Sequence, residues 1–314
     1  MDDQMAAHNN NSLDYFILLG FSQGQTIFLF LIAVTYVMIL IGNFAVFSII
    51  LVDRSLQTPM YFFLSCLSLC DVCFSSVTLP AILVIAITGN RRISFHRCFT
   101  QLYFFVFFGG SEGLILAAMA YDRYVAICNP LRYHEVMSWK FCSGFVAGCL
   151  VCGLVNAIFH TLMTMKLTYC GDHHINHFFC DILPMLEAAC SDIESSQVWL
   201  HVITIFIGMS PFLLVMNSYI RIISTILKIR SSDGRQKVFS TCSSHLMVVT
   251  VFYTTSIFTY NGPISGDSFI IVRVSSFLYS VSPPLVNPII YTLRNKDVKT
   301  ALKKALEMPN HSSF

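Results

Sequence analysis

Charge is scarce in this 314-residue chain. Only 11% of its residues are charged and 55% are hydrophobic, whereas soluble domains average roughly 25% charged residues. A soluble fold of this length could not hide so much apolar surface. The net charge is only +2, too little to hold a nucleic-acid backbone, so nucleic acid is excluded as a partner. Residues 1–26 contain no Lys or Arg at all. With no basic leader region and no small-residue cleavage site there, no cleaved signal peptide is expected, and the first apolar run serves as an uncleaved anchor. Internal repeats, low-complexity tracts and Pro- or Ser-rich linkers are also lacking. One domain spanning 1–314 is expected.

What the chain does have is a series of apolar runs, near residues 27–51, 59–87, 99–121, 141–165, 197–227, 238–260 and 269–292. Each is about 20 residues or longer, enough at 1.5 Å per residue to cross a ~30 Å hydrocarbon core. Membrane-spanning strands would instead give ~10-residue alternating segments, and none occur. The reading is an all-α membrane protein, a seven-transmembrane helix bundle embedded in lipid. Seven crossings put the termini on opposite sides. With the N-terminus outside, the inner loops and helix ends carry fourteen Lys and Arg residues between Arg54 and Lys304. The outer side carries five: Arg91, Arg92, Arg97, Lys166 and Arg273. Positive charge favours the cytoplasmic side. That assigns 1–26 to the outside, 27–292 to the bundle and 293–314 to a cytoplasmic tail. Residues 294–306 place Val298, Ala301, Leu302 and Ala305 on one helix face and Lys299, Lys303 and Lys304 on the other. Such a helix lies along the inner membrane surface.

Cysteines and sequons fit the same topology. The loop at about 166–196 holds Cys170, Cys180 and Cys190, and Cys98 opens the third run on the same side. Four cysteines in an oxidising compartment imply two disulfides, with three possible pairings. The Cys70/Cys73 and Cys149/Cys152 spacings lie within apolar runs, where cysteine behaves as a small hydrophobe. Asn10-Asn11-Ser12 is a glycosylation sequon on the outer side, at Asn10. The matching triplet at Asn310 falls on the cytoplasmic side and is discounted.

Two carboxylates lie inside the runs, Asp71 and Glu112. With Asn43 and Asn287 near, they could share a proton or hold Na⁺, since hard cations prefer oxygen ligands. No other cofactor is indicated, nor any catalytic residue. A second charged feature ends the third run: Met119-Ala-Tyr-Asp-Arg-Tyr-Val-Ala-Ile-Cys128, continuing through Asn129-Pro-Leu-Arg-Tyr133. Charge at a membrane helix mouth is costly unless it reaches water, pairs or serves a function.

This string does not stand alone. It is joined in order by Gly42-Asn43, Thr58-Pro-Met-Tyr-Phe-Phe-Leu-Ser65, Leu67-Ser-Leu-Cys-Asp71 and Ile175-Asn-His-Phe-Phe-Cys-Asp181. Then follow Ser218-Tyr219, Lys237-Val-Phe-Ser-Thr-Cys-Ser-Ser-His-Leu246 and Pro284-Leu-Val-Asn-Pro-Ile-Ile-Tyr-Thr-Leu-Arg-Asn295. From about Leu18 to Lys299 the chain resembles the odorant receptors of the rhodopsin-like G-protein-coupled class, in their tetrapod-type form. The departures are Gln57 for His, Cys66 for Asn, Arg97 for Gly, Thr254 for Gly and an added Pro283. None touches a switch residue.

The resemblance implies a multi-pass plasma-membrane receptor that is not an enzyme. It implies that Arg123 pairs with Asp122 at rest, beside Tyr124, then swings toward Tyr219 and contacts a stimulatory olfactory-type heterotrimeric G protein, raising cyclic AMP. Asn287, Pro288 and Tyr291 would form a second switch, with Pro288 permitting a kink. Among the cysteines it favours Cys98 with Cys180, leaving Cys170 with Cys190; Cys98 with Cys190 is the alternative. By position the pocket would comprise Phe105, Val106, Gly109, Gly110, Ile203, Ile207, Ser256, Ile257, Tyr260, Phe277 and Ser280. Phe105 stands where an amine receptor has its acid, and Val281 near where an opsin has its lysine. The implied ligand is therefore a small, volatile, neutral and hydrophobic molecule with one hydrogen-bonding group, met by Ser256 or Tyr260. Gly109-x-x-x-Gly113 is also a motif for close helix contact. Two rival readings are a receptor of the same architecture sensing a metabolite outside the nose, and a transporter or channel. The second lacks inverted repeats and a charged transport path.

Overall fold

The computed structural model describes residues 15–20, 26–169, 173–190, 194–229, 231–260 and 269–307. Seven long helices form the bundle: α1 (Thr26–Val52), α2 (Pro59–Thr88), α3 (Phe95–Cys128), α4 (Trp139–Met165), α5 (Glu194–Ile226), α6 (Ser232–Tyr260) and α7 (Phe269–Arg294). An eighth, α8 (Lys296–Glu307), follows α7 directly.

Helix ends follow local chemistry as well as apolarity. Ser94 caps α3 by accepting from the Arg97 amide, and Ser138 caps α4 by accepting from Phe141. Pro59 opens α2, where its missing N–H costs nothing. Gly89 closes α2 at φ 68°, a left-handed conformation that glycine adopts without strain. At the other end of α3 the helix runs past the apolar limit at residue 121 to Cys128. It can do so because the charges there pair with each other.

Among the described residues, five helices are long and apolar enough to cross a membrane on those grounds alone: α1 to α4 and the Gly208–Ile226 part of α5. In α6 and α7 several polar residues face inward. Ser244, His245 and Thr259 of α6 are buried, as are Ser276, Ser280 and Asn287 of α7. Apolar side chains such as Ile27, Phe30, Val84, Ile87 and Phe206 point outward uncovered, as lipid-facing residues do. α3 is the central post: 67% of its most apolar stretch is buried, against 17% for α1. α8 buries Val298 and Ala301 and exposes Lys299, Lys303 and Lys304.

The end of the bundle near Cys98 carries a cap that the apolar runs do not announce. β1 (Tyr15–Leu18) lies between β2 (Arg92–Ser94) and β3 (His174–Ile175). It is antiparallel to β2, with Phe16 opposite Ile93, and parallel to β3, with Leu18 opposite Ile175. Alternation buries Phe16 and Leu18, which pack with Phe99, Leu102 and Met185 in a second small core. A seven-residue loop helix, Ile182–Ala188, completes the cap, with the Asp181 side chain accepting from the Ile182 amide. Cys98 is bonded to Cys180. Cys190 is also disulfide-bonded; Cys170 lies outside the described residues. Eight further cysteines are free, including Cys70, Cys73, Cys149 and Cys152.

Candidate functional site

Beneath the cap, α3 to α7 enclose a cavity of about 190 Å³. Its wall on α3 is Phe105, Val106, Gly109, Gly110 and Gly113. The absence of side chains there is what lets neighbouring rings enter. A Cβ on Gly109 would lie 2.6 Å from the Tyr279 hydroxyl, and one on Gly113 would lie 3.2 Å from the Phe252 ring. The glycine spacing therefore admits aromatic side chains from α7 and α6 to the α3 backbone. Phe105 stacks on Phe74 at 4.9 Å and meets Phe179 of the loop at 5.0 Å. Tyr279 meets Phe252 at 5.8 Å and Tyr260 at 6.0 Å. The lining is mostly apolar and aromatic.

Ser256, Ile257 and Tyr260 line this cavity, as do Phe105, Val106, Gly109 and Gly110. Phe277 and Ser280 do not. Phe277 packs against Phe28 of α1 and Phe178 of the loop, and the Ser280 hydroxyl donates to the Phe277 carbonyl. The α7 side chain in the cavity is Tyr279. The side chains of Ile203 and Ile207 lie outside the described residues, as does Asn10. Sequence reasoning missed Asn156 and His160 of α4, Ile182 of the loop, and Phe252 and Tyr253 of α6. The signal for Asn156 and His160 was available: each is a polar residue inside an otherwise apolar run.

The loop closes over the cavity through Asp181. This fully buried carboxyl accepts from the Ile182 amide at 2.7 Å, from the Ser276 hydroxyl at 3.3 Å and from the Tyr260 hydroxyl at 3.4 Å. One loop side chain thus ties the ends of α6 and α7. Burial pushes its pKa up to about 6. Burial also pushes His177, on the same loop, down to about 4. The Cys180 amide donates to Gln101 on α3 at 3.0 Å.

A second polar centre lies deeper. The Asn287 amide donates to both Asp71 oxygens, at 3.1 and 2.9 Å. Glu112 faces Asp71, and neither Glu112 oxygen receives a hydrogen bond; the Asn287 carbonyl oxygen also has no donor. All three residues are buried. Asn43 also keeps a buried side-chain oxygen without a donor, and its amide nitrogen has a structural role in α7. Its amide donates to the Pro284 carbonyl at 2.9 Å. In an α-helix that carbonyl would take the N–H four residues on, but that residue is Pro288, which has none. Asn43 replaces the bond that the proline removes.

At the far end of α3, Arg123 donates to Asp122 at 2.8 and 3.1 Å. Asp122 is fully buried and its other oxygen accepts from the Tyr133 hydroxyl at 2.8 Å. Tyr124 is partly buried, its ring 6.1 Å from that of Tyr121. Tyr219 is turned to α6: its hydroxyl lies 2.7 Å from His245 Nδ1, while His245 Nε2 lies 3.2 Å from the Leu116 carbonyl of α3. The Tyr291 hydroxyl is buried without a partner. Three helices, α3, α5 and α6, are thus latched together at this end through Tyr219 and His245.

The family description "Olfactory receptor" matches residues 32–308. Olfactory receptor 5AP2 of Mus musculus is 46% identical over 303 residues, covering 95% of this chain and 95% of that protein. Olfactory receptor 10A7 of Homo sapiens is 44% identical over 306 residues, covering 96% of each. The crystal structure of squid rhodopsin superposes with a TM-score of 0.70 over 91% of this chain and 87% of that one, at 16% identity. That last likeness concerns the seven-helix fold alone. The chain belongs to the olfactory receptor family.

Proposed function

We propose that the 190 Å³ cavity is the odorant site, and that a small, neutral, volatile ligand bound there drives a stimulatory olfactory-type G protein and raises cyclic AMP. The cavity among α3 to α7, lined mostly by apolar and aromatic side chains, is the observation that carries this reading. Among the described residues its lining includes no Asp, Glu, Lys or Arg, which suits a neutral ligand, and burial of apolar atoms supplies roughly 25 cal/mol per Å². The chain performs no covalent chemistry on the ligand. The whole chain, 1–314, acts as one domain in the plasma membrane, with lipid around it. Its N-terminal segment 1–26 and cap face outward, and its tail 293–314 lies inside.

Activation is a population shift: the ligand must bind the active arrangement better than the resting one. Contacts on Tyr260 and its neighbours draw the capped ends of α6 and α3 together. The other end of α6, near Lys237 and Ser240, then swings away. Tyr219 leaves His245, and Arg123 leaves Asp122 to meet Tyr219 and the G protein. Pro288 and Tyr291 accommodate the change in α7. The side chains of Lys237 and Ser240 lie outside the described residues.

The Asp71, Glu112 and Asn287 oxygens fit either a shared proton or Na⁺, because the unsatisfied atoms there are all oxygen and buried. The three residues would hold the ion with oxygen ligands alone. Asp71→Asn is expected to remove any dependence of agonist potency on sodium, which the native receptor should show when sodium replaces potassium at constant ionic strength. Equal potency in both salts for the native receptor would eliminate the ion and leave the shared proton.

A further inference from the structure

We infer that odorants reach this cavity from the lipid bilayer, through an opening between α5 and α6 at Gly208, Met209 and Ile257. The inference takes the cavity as the odorant site, as proposed above. Its ground is that these three residues line the cavity and also lie on the outside of the bundle. Lining residues that face only the interior keep almost no accessible surface: Phe105, His160, Phe252 and Tyr253 are between 1% and 7% exposed. The cavity itself therefore adds little to a residue's exposure. Met209 is 40% exposed and Ile257 is 44% exposed, so most of that surface belongs to the outer face. Gly208 is exposed as well, and among the described residues a Cβ built on it meets nothing within 4 Å. One turn further along α5 the wall is closed, where the Phe212 and Tyr253 rings lie 5.0 Å apart. At Gly208 the α5 wall has no side chain to close it.

The surface around these residues is apolar. Phe206 and Leu213 of α5 and Phe258 of α6 are close to them in sequence and exposed, the pattern of a lipid-facing surface. The route from water is shut among the described residues. Phe179, Cys180 and Asp181 of the loop are fully buried. Asp181 accepts from Tyr260 and Ser276 at the ends of α6 and α7. Cys180 is bonded to Cys98, and its amide donates to Gln101. Ile182 lines the cavity from the loop and is itself buried. A ligand entering through the cap would have to break these bonds, whereas one entering between α5 and α6 breaks none of them. A small apolar molecule also concentrates in hydrocarbon, because leaving water is favourable in proportion to its apolar area. Lipid is then the phase that this site samples, and partition into lipid becomes part of the receptor's selectivity.

Reactive labelling tests the route without the G protein. Full-length receptor in phosphatidylcholine nanodiscs carries one added cysteine in the cavity, either Ser256→Cys on α6 or Gly110→Cys on α3. The probe is benzyl methanethiosulfonate, neutral and lipid-soluble, which transfers its benzylthio group to a thiol and releases methanesulfinate. A dry cavity of about 150 Å³ holds benzene, so one of 190 Å³ holds this group. The modified peptide is followed by mass, which sets the native cysteines aside. Both added cysteines are expected to react. Gly208→Trp should slow both by at least about tenfold, since a bulky ring closes the gap in an otherwise close-packed wall, while Gly208→Ala leaves both rates within about twofold. Ile257→Ala, which removes bulk from the facing edge, should speed both. Met209→Trp is the second obstruction should Gly208→Trp fail to reach the membrane. The inference is overturned if neither cysteine reacts in the parent receptor, if the obstructing variants leave both rates unchanged, or if they slow labelling on α6 alone. It is overturned too if the final extent of labelling falls in place of its rate, because the ring then fills the cavity and not the gap. Silence of the surface-expressed receptor toward every member of a broad odorant panel would instead defeat the odorant reading, and this inference with it, whatever the labelling shows.

Discussion

Arg123→Ala abolishes ligand-evoked cyclic AMP, to less than about a tenth of the native response, while the receptor still reaches the cell surface. The geometry gives both halves of this expectation. Arg123 is the side chain whose charge cannot be lost and whose planar head offers several donors at once. At rest those donors are turned to Asp122, at 2.8 and 3.1 Å, and the side chain keeps only 15% of its surface exposed. In the proposed active arrangement it is freed from Asp122 to meet the G protein. Its removal does not strip Asp122 of every partner, because Tyr133 still donates to the other carboxyl oxygen. Surface labelling with an antibody to an N-terminal tag, alongside cyclic AMP measurement, separates the two effects. Normal output from the variant would refute the role assigned to Arg123.

Cys98→Ala produces the second large effect, here on folding. The Cys98–Cys180 bond closes a loop with a sequence separation of 82 residues, for which chain entropy predicts about 4 kcal/mol of stabilisation. More depends on it than chain entropy. The residue next to Cys180 is Asp181, which joins the loop to Tyr260 and Ser276, and the Cys180 amide is held by Gln101. Without the bond, a buried carboxyl and its partners are no longer held in register over the cavity. Surface expression is expected to fall to about a tenth or less. Cys180→Ala should match it, and the double variant should be no worse than either alone. A mild Cys180 variant beside a severe Cys98 variant would mean that Cys98 has a different partner.

The helices were legible because a membrane span announces itself by length and apolarity, and six of the seven runs end within about six residues of the helix limits at both ends. The third run did not, since α3 continues through Asp122 and Arg123 to Cys128. The apolar run was ended at the adjacent charges Asp122 and Arg123, whereas two charges that pair can remain helical. The cap sheet was not legible. Tyr15–Leu18 is four residues long, and its partners lie at 92–94 and 174–175, so no local pattern names them. In the site, the α3 residues Phe105, Val106, Gly109 and Gly110 could be placed at the cavity from sequence because α3 is the central helix. On α7 the expected residues do not line the cavity: Phe277 packs against Phe28 of α1, and Tyr279 lines the cavity, its hydroxyl where a Cβ on Gly109 would lie. Which hydroxyls remain available to a ligand could not be read from residue type. Ser256 and Tyr260 carry the right groups, but both are engaged within the protein.

The claim that ligand in the cavity drives the output at Arg123 is tested most directly by filling the cavity. Gly110 lines it, and among the described residues a Cβ built there meets only the Asn156 amide nitrogen, at 3.4 Å. A leucine there adds a bulky side chain to the wall of a space of about 190 Å³. Cyclic AMP is measured against concentration for the most potent odorant of a panel, on native receptor and on Gly110→Leu at equal surface density. The account predicts that potency falls by at least about a hundredfold in the filled receptor while any basal signal remains. Unchanged potency would place the ligand elsewhere and contradict the account.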